Sequence, residues 1–214
     1  MPKETFFNLK NGKQERILRS AINEFNACGF TDANIGTIAK NAEVAKGSIY
    51  QYFKDKKELF VYCVTWSLGY ILEKLEDQMK TAELDIFEYL AGDIKQGLMF
   101  IYEEKSLSLF TQDVFLGKFR LMPDDSIKEM MRVADEYILR LIRAGQENGK
   151  IRKDVDEVLL KLFLGGAAMK IKEHVLLEAG GSAFDLTEEN IKKYGAVAEI
   201  MVDLLKNGIG LKGV

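Results

Sequence analysis

The chain has 214 residues, of which 47% are apolar and 29% are charged, and its formal net charge is −3. This balance is typical of a soluble globular protein and leaves room for one large or two small hydrophobic cores. The longest apolar window, residues 158–169, contains Lys161 and is too short to cross a bilayer. The sequence therefore predicts no membrane-spanning segment.

The start of the chain and its two cysteines predict a cytoplasmic protein. Residues 2–5 are polar, and the apolar run of a signal peptide does not follow them. Cys28 and Cys63 are too few for a disulfide framework and lack the spacing of metal ligands. We expect both to be small buried side chains in a reducing cytoplasm, and a redox-sensing thiol is the alternative. We predict no cofactor and no bound metal.

Charge is distributed unevenly along the chain. Residues 1–60 contain ten Lys and Arg against seven Asp and Glu, a balance of +3, whereas the remaining 154 residues have a balance of −6. A basic N-terminal part followed by an acidic remainder favours binding of a polyanion by residues 1–60. Solvated helix faces also produce such imbalances, so this signal is weak by itself.

Apolar periodicity predicts four helices at the start of the chain. We place them at residues 13–28, 35–42, 46–52 and 56–79. The first ends at Gly29, where a left-handed residue is needed. Asn34 is a good N-cap for the second helix, and Asp55 can cap the fourth.

Every later segment also has helical periodicity, and none shows the β-branched alternation of a strand. The predicted helices lie at residues 84–103, 106–118, 125–148, 155–179 and 187–207. With only two prolines in the chain, long helices can run almost without interruption. The predicted fold class is all-α, with about nine helices.

The last two predicted helices carry apolar residues at alternating steps of three and four, the spacing of helices packed nearly parallel or antiparallel. Gly165 and Gly166 in this stretch let another backbone come close. Two such helices per subunit would form a four-helix bundle in a homodimer, whereas the alternative is that both pack into their own subunit. The predicted interface residues are Leu159, Leu162, Gly166, Met169, Tyr194, Ala198, Met201 and Leu205.

Residues 31–60 contain two short predicted helices joined by a tight turn. Their sequence is TDANIGTIAKNAEVAKGSIYQYFKDKKELF. The second helix of such a unit can enter the major groove of DNA, about 12 Å wide, while the first supports it. Gly47 and Ser48 would let backbone amides approach a phosphate. Lys46 and Gln51 are long polar side chains able to reach base edges.

Tyr50 and Tyr52 lie two residues apart on this helix and therefore point in different directions. One can hydrogen-bond a phosphate, while the other reaches the neighbouring strand or buttresses the helix. Lys56, at the start of the next helix, can hold the phosphate backbone. Outside this motif, both tyrosines would be interpreted as core residues, and Lys56 and Lys57 as a solvated helix start.

One continuous stretch of the chain resembles the N-terminal domain of the TetR family of bacterial regulators. It reads GFTDANIGTIAKNAEVAKGSIYQYFKDKKELF. Its marks are Gly-Phe after the first helix, Ile-Ala in the second, and KGSIYQYF followed by KKELF; the match covers about residues 10–60. The resemblance implies a homodimer that binds a near-palindromic operator, usually as a repressor, with a ligand pocket in the C-terminal domain. The DNA-facing positions of the family fall on Asn34, Lys46, Gly47, Ser48, Tyr50, Gln51, Tyr52 and Lys56. We therefore predict a helix-turn-helix DNA-binding domain over residues 1–55 and a helical effector-binding and dimerisation domain over residues 56–214.

Three residues depart from the family pattern. Glu43 stands in the turn where the family often has glycine, so a positive φ would cost ~1–2 kcal/mol. Ala45 replaces the Ser or Thr that commonly caps the recognition helix, which gives up ~1 kcal/mol. Gly36 stands where some members place a base-contacting side chain, so we expect no direct readout from that position.

The sequence argues against an enzyme. The single histidine, His174, cannot supply a multi-histidine metal site, and no Gly-x-Ser-x-Gly elbow is present. Residues 145–150, GQENGK, are too short for a phosphate-binding loop and lack its Ser or Thr. The adjacent carboxylates at 103–104 and 124–125 are typical of solvated helix ends.

Large apolar residues are frequent in the predicted C-terminal domain. Each one is explained by a hydrophobic core, but as a set they would also line a cavity for a hydrophobic effector. The candidates are Trp66, Tyr70, Met99, Tyr102, Phe110, Phe115, Phe119 and Tyr137. We predict a transcriptional repressor that a small hydrophobic effector releases from DNA. The alternative is a ligand-independent DNA-binding or partner-docking protein with a solid C-terminal body.

Overall fold

The computed structural model describes residues 1–79, 87, 103–178 and 188–208. The described residues form nine α-helices and no strand, which confirms the predicted all-α class. The helices are α1 (Glu4–Phe7), α2 (Asn11–Asp32), α3 (Ile35–Asn41), α4 (Lys46–Tyr52), α5 (Lys56–Met79), α6 (Lys105–Phe115), α7 (Asp125–Glu147), α8 (Glu157–Glu178) and α9 (Glu188–Asn207). None of the helices described is long and apolar enough to cross a membrane.

Apolar periodicity placed most of these helices correctly. α4 and α5 have the predicted bounds, and α6 to α9 lie close to their predicted ranges. The helix predicted over residues 84–103 lies almost entirely outside the described residues. The sequence did not predict α1, because a helix of four residues is too short to show a period.

Three predicted helix boundaries have the expected local chemistry. Gly29 has φ +73°, as predicted, although one further turn carries α2 to Asp32. The Gly36 N–H donates to Asn34 Oδ1 at 2.7 Å, and the Glu58 N–H donates to Asp55 Oδ1 at 2.8 Å. The two predicted side-chain caps are confirmed.

The first of two compact units contains Met1–Tyr70 and Glu104–Val133. Its core is aromatic, since the ring centroid of Phe60 lies 4.8 Å from that of Phe25, 5.2 Å from Phe110 and 5.4 Å from Phe119. Helix α6 therefore shares one core with α2 and α5. This unit extends beyond residue 55, and the domain boundary there stays a prediction about the DNA-binding module.

The second unit contains Ile71–Glu103 and Ala134–Val214. The Arg143 guanidinium donates to both carboxylate oxygens of Glu157, at 2.6 and 2.7 Å. Lys161 Nζ lies 2.5 Å from Asp135 Oδ2, and a Cβ on Gly165 would lie 3.4 Å from Ile138 Cδ1. These contacts fasten α8 against α7, and the small residue at 165 serves this packing.

The two cysteines have different environments. Cys63 is fully buried in the first unit, and burial raises the pKa of its thiol. Cys28 is exposed, and the prediction that it is buried was wrong. The inward face of α2 ends at Phe25, so the last residues before Gly29 face solvent.

Candidate nucleic-acid interface

Helix α4 has one buried and one exposed side. Ile49 and Tyr52 are buried in the core of the first unit. On the other side Lys46, Gly47 and Gln51 are exposed, and Tyr50 is 45% exposed. A short helix with this arrangement presents polar side chains outward from a fixed base, as a DNA-reading helix does.

The turn between α3 and α4 contains a strained residue. Glu43 has φ +55°. This confirms the positive φ expected at a turn position where the family often has glycine. The Val44 N–H donates to the Ala39 carbonyl at 3.0 Å, and Arg16 Nε donates to the Ala42 carbonyl at 2.9 Å. These two hydrogen bonds hold the turn in spite of the strain.

The start of α4 lacks a side-chain cap. Ala45 is the N-cap residue and makes no side-chain hydrogen bond, as its methyl group predicts. Among the described residues, no atom lies within 4 Å of the position that a Cβ on Gly47 would take. The backbone at Gly47 is therefore open to approach from outside.

The two tyrosines of α4 differ in exposure, as their spacing predicted. Tyr50 presents its side chain to solvent, whereas Tyr52 is only 7% exposed. The ring of Tyr52 lies 6.0 Å from that of Phe6. The structure thus favours a buttressing role for Tyr52 over the DNA contact predicted for it, because its ring is part of the core.

At the start of α3, Asn34 uses its side-chain oxygen as the helix cap. Its backbone N–H donates to Glu24 Oε1 at 2.9 Å. A Cβ on Gly36 would lie 3.0 Å from Asn34 Oδ1, which is tighter than almost all real contacts. Gly36 therefore serves the cap and, as expected, offers no side chain for base readout.

Lys56 does not extend freely toward solvent. Its ammonium donates to the carbonyls of Thr31 and Ala33 at 2.7 and 3.0 Å and lies 5.2 Å from the ring centroid of Phe30. Two of its three donors are thus engaged at the end of α2. In this structure the lysine ties α5 to α2, since unsatisfied carbonyls at a helix end attract a cation, and its phosphate contact stays a prediction.

Comparison with known proteins identifies this arrangement. The family model described as bacterial regulatory proteins, tetR family, matches residues 17–63. The chain carries a TetR-family DNA-binding domain. The match begins within α2, spans α3 and α4 and ends within α5, so it includes the whole surface described above.

Relatives of this chain extend the likeness beyond residues 17–63. The fatty acid metabolism regulator protein of Bacillus subtilis is 25% identical over 157 residues, which cover 73% of this chain and 80% of that protein. The probable acrEF/envCD operon repressor of Escherichia coli K12 is 24% identical over 194 residues, 88% of this chain and 86% of the other. Both relatives are named as regulators of gene expression, and their likeness to this chain extends well beyond residues 17–63.

Solved structures share the fold. FadR from Bacillus subtilis, in complex with stearoyl-CoA, superposes with a TM-score of 0.65 at 20% identity and covers 92% of this chain and 99% of its own. FadR from Bacillus halodurans has a TM-score of 0.66 at 20% identity, with 94% and 98% covered. The all-helical architecture is therefore that of TetR-type regulators over nearly the whole length.

The predicted effector-binding residues do not form one group among the described residues. Phe110 and Phe119 belong to the core of the first unit, where Phe115, Trp66 and Tyr70 pack against it. Tyr137 is buried in the second unit beneath Arg140, whose guanidinium lies 4.8 Å from its ring centroid. Met99 and Tyr102 lie outside the described residues. For Phe110 and Phe119, the core interpretation explains the burial.

The predicted dimer residues are exposed on α8 but not on α9. Leu159 and Leu162 are 59% and 62% exposed, and Gly166 is also exposed. On α9, Met201 is buried and Leu205 half-buried, whereas the adjacent Ile200 and Leu204 face solvent. Met201 therefore packs within its own subunit, contrary to the exposed position that an interface residue needs, while the interface itself stays a prediction. The side chains of Met169, Tyr194 and Ala198 lie outside the described residues.

Sequence reasoning missed a polar cluster centred on Arg19. Its guanidinium donates to both oxygens of Glu104, at 2.6 and 2.7 Å, and to Glu15 at 2.7 Å. The hydrogen bonding that Arg19 donates to Glu104 is the main cause that raises the pKa of Arg19, and burial acts against it. The Tyr70 ring centroid lies 5.3 Å from the same guanidinium. No local pattern links residue 19 to residue 104, so only the fold reveals the pair.

Proposed function

We propose that this TetR-family regulator binds a near-palindromic operator as a homodimer and represses transcription until a small hydrophobic effector releases it. The observation that carries the proposal is the exposed side of α4, which combines Lys46, Gly47, Tyr50 and Gln51 above a buried opposite side. Side chains of this kind reach base edges in the major groove, and an uncovered glycine lets the DNA backbone come close.

Each residue has its own part in this proposal. Lys46 and Gln51 contact base edges, while Ser48 and Tyr50 hydrogen-bond phosphates. Asn34 is exposed at the start of α3 and contacts the backbone of the neighbouring strand. Tyr52 and Lys56 support the surface from behind and make no direct contact with bases.

The homodimer is supported by the apolar residues that α8 and α9 leave exposed. They are Val158, Leu159, Leu162, Phe163, Ile200 and Leu204. Large exposed apolar surfaces on a soluble chain mark interaction sites, and a second copy of the same chain covers both helices symmetrically. A dimer of this kind engages two half-sites about one helical turn, ~34–36 Å, apart.

The effector class is suggested by the relatives. FadR from Bacillus subtilis has been solved with stearoyl-CoA, and a relative matching 73% of this chain is named a fatty acid metabolism regulator. Long-chain acyl-CoA is therefore the effector class to test first. A ligand-independent regulator is the alternative, supported by the burial of Phe110 and Phe119 in a continuous core.

Selection of bound duplexes from a random DNA pool tests operator binding. We expect a near-palindrome whose affinity falls steeply with salt. Lys46→Ala and Tyr50→Phe should weaken binding to it by about tenfold or more. Lys153→Ala, which removes an exposed lysine in the second unit, is the control and should bind normally. If nothing is enriched at low salt by protein freed of co-purified ligand, operator recognition is refuted.

Thermal melting and operator release test the effector. Stearoyl-CoA should raise the melting temperature, since a ligand of the native state stabilises it by mass action, and should release the operator. Coenzyme A alone and stearate alone separate the contributions of the headgroup and the acyl chain. If no compound in a broad lipophilic set shifts the melting temperature, the ligand-independent alternative holds.

A further inference from the structure

The end of α4 is held by the N-terminal segment, residues 2–9. The backbone N–H of Lys3 donates to the Tyr52 carbonyl at 2.8 Å, and Lys3 Nζ donates to the Tyr50 carbonyl at 2.8 Å. Thr5 Oγ1 donates to the Gln51 carbonyl at 2.7 Å. Carbonyls in the last turn of a helix have no partner within it, and here three consecutive ones are satisfied from a segment more than 40 residues away in sequence.

An apolar anchor fixes the same segment to the core. Phe6 is fully buried, and its ring centroid lies 4.9 Å from Phe53 and 5.6 Å from Tyr62. Gln14 Nε2 donates to the Leu9 carbonyl at 2.8 Å, which ties the end of the segment to α2. The hydrogen bonds from Lys3 and Thr5 therefore come from a support that is itself held in place.

Helix α4 depends on such support more than a longer helix would. It has seven residues, well below the length at which an isolated helix is stable in water. Its N-cap residue, Ala45, makes no side-chain hydrogen bond, and the turn before it contains Glu43 at positive φ. Its orientation is thus set by tertiary contacts at its buried side and at its C-terminal end.

We propose that Lys3 and Thr5 are positioning residues for operator recognition: they fix the C-terminal end of α4 and thereby the directions of Tyr50 and Gln51. This inference rests on the proposed function, in which α4 reads DNA. Two of the three residues whose carbonyls are held, Tyr50 and Gln51, have side chains that face outward. Base readout requires hydrogen bonds within a few tenths of an ångström, whereas non-specific binding depends on phosphate charge and tolerates displacement.

The inference predicts a loss of specificity rather than a general loss of DNA binding. Thr5→Val removes one hydroxyl without changing charge or shape, and we expect about fivefold weaker binding to the selected operator. Binding to a random duplex at low salt should stay within about twofold, because the charges that attract phosphate are unchanged. Thr5→Ser, which keeps the hydroxyl, should restore operator affinity.

Two controls separate positioning from other effects. Thr65→Val removes a hydroxyl that donates to the Tyr62 carbonyl within its own helix, and it should leave operator binding unchanged. Lys3→Met should weaken operator binding more than Lys10→Met, because both remove an exposed lysine but only Lys3 donates to α4.

Hydrogen exchange of the free protein provides a measurement that does not depend on DNA. In Thr5→Val and Lys3→Met, amides of residues 46–53 should exchange at least about threefold faster, because local opening of α4 becomes easier. The inference is overturned if these variants lose affinity equally for the operator and for a random duplex. It is also overturned if both the amide exchange rates and the operator affinity are unchanged. If the wild-type protein selects no operator, the proposed function fails instead, and the exchange rates still decide whether the segment holds α4.

Discussion

Gly47 is the second residue of α4, and the space around it is open. We expect Gly47→Ala to raise the free energy of unfolding by about 0.5 kcal/mol, because alanine is favoured over glycine in a helix. The same change should weaken operator binding by about tenfold, since the methyl group occupies the space through which the DNA backbone approaches. Denaturant unfolding and fluorescence anisotropy measure the two effects.

Gly12 offers a matched control for this substitution. It is also the second residue of its helix, α2, and a Cβ there meets nothing within 4 Å. Gly12→Ala should give a similar gain in stability without loss of operator binding. Equal operator affinities for Gly47→Ala and the wild type would contradict the proposed approach of DNA to α4.

Glu43 stores strain in the turn before α4. At φ +55° a glycine is free of the clash that a Cβ produces, so Glu43→Gly should raise the free energy of unfolding by about 1 kcal/mol. Its ion pair with Arg16, at 3.8 Å, is exposed and contributes little. Glu43→Ala removes the same charge but keeps the Cβ, and a gain as large as that of glycine would refute the strain.

At the scale of elements, α2 and α6 are joined by the pair of Arg19 with Glu104, whose side chains are 30% and 21% exposed. Arg19→Met leaves the carboxylate of Glu104 partly buried without this partner. We expect it to lower the free energy of unfolding by about 2 kcal/mol, and the double variant with Glu104→Gln to be less destabilised than the sum of the single changes.

Arg143 provides the comparison for that prediction. It forms a bidentate pair of similar length with Glu157, but its two side chains are more exposed, at 57% and 35%. Arg143→Met should therefore change stability much less than Arg19→Met in the same unfolding measurement, because water screens an exposed pair. Similar losses for both arginines would show that partial burial of the Arg19 pair does not matter.

For the whole molecule, the proposed dimerisation is the property on which the proposed operator recognition depends. Leu162 is 62% exposed on α8. A symmetric dimer interface would bury this residue in both subunits. Leu162→Glu should raise the dimer dissociation constant by about a hundredfold and weaken operator binding in parallel. Analytical ultracentrifugation across a concentration series measures the association.

Leu121→Glu is the control for this change, since Leu121 is 72% exposed in the first unit and lies outside the proposed interface. It should leave the association unchanged. A wild-type protein that sediments as a monomer at all concentrations, or a Leu162→Glu variant that associates normally, would remove the basis for the dimer.

The sequence alone predicted those features that depend on neighbouring residues. Helical periods, the caps at Asn34 and Asp55, the positive φ at Glu43 and the missing cap at Ala45 all follow from local sterics and hydrogen bonding. The motif that marks the TetR family is also local, since it lies within a single stretch of chain. For that reason the amino-acid sequence is sufficient to predict the fold class and the position of the recognition helix.

Only the tertiary structure decided how side chains with two available roles are used. Tyr52 and Lys56 are directed into the unit by Phe6 and by the end of α2, and the exposed stripe of α9 is set by packing within its own unit. Lys3 and Thr5 acquire a role because the chain folds back onto α4, far away in sequence. Such contacts depend on which surfaces meet in three dimensions, and a periodic pattern along one chain does not contain that information.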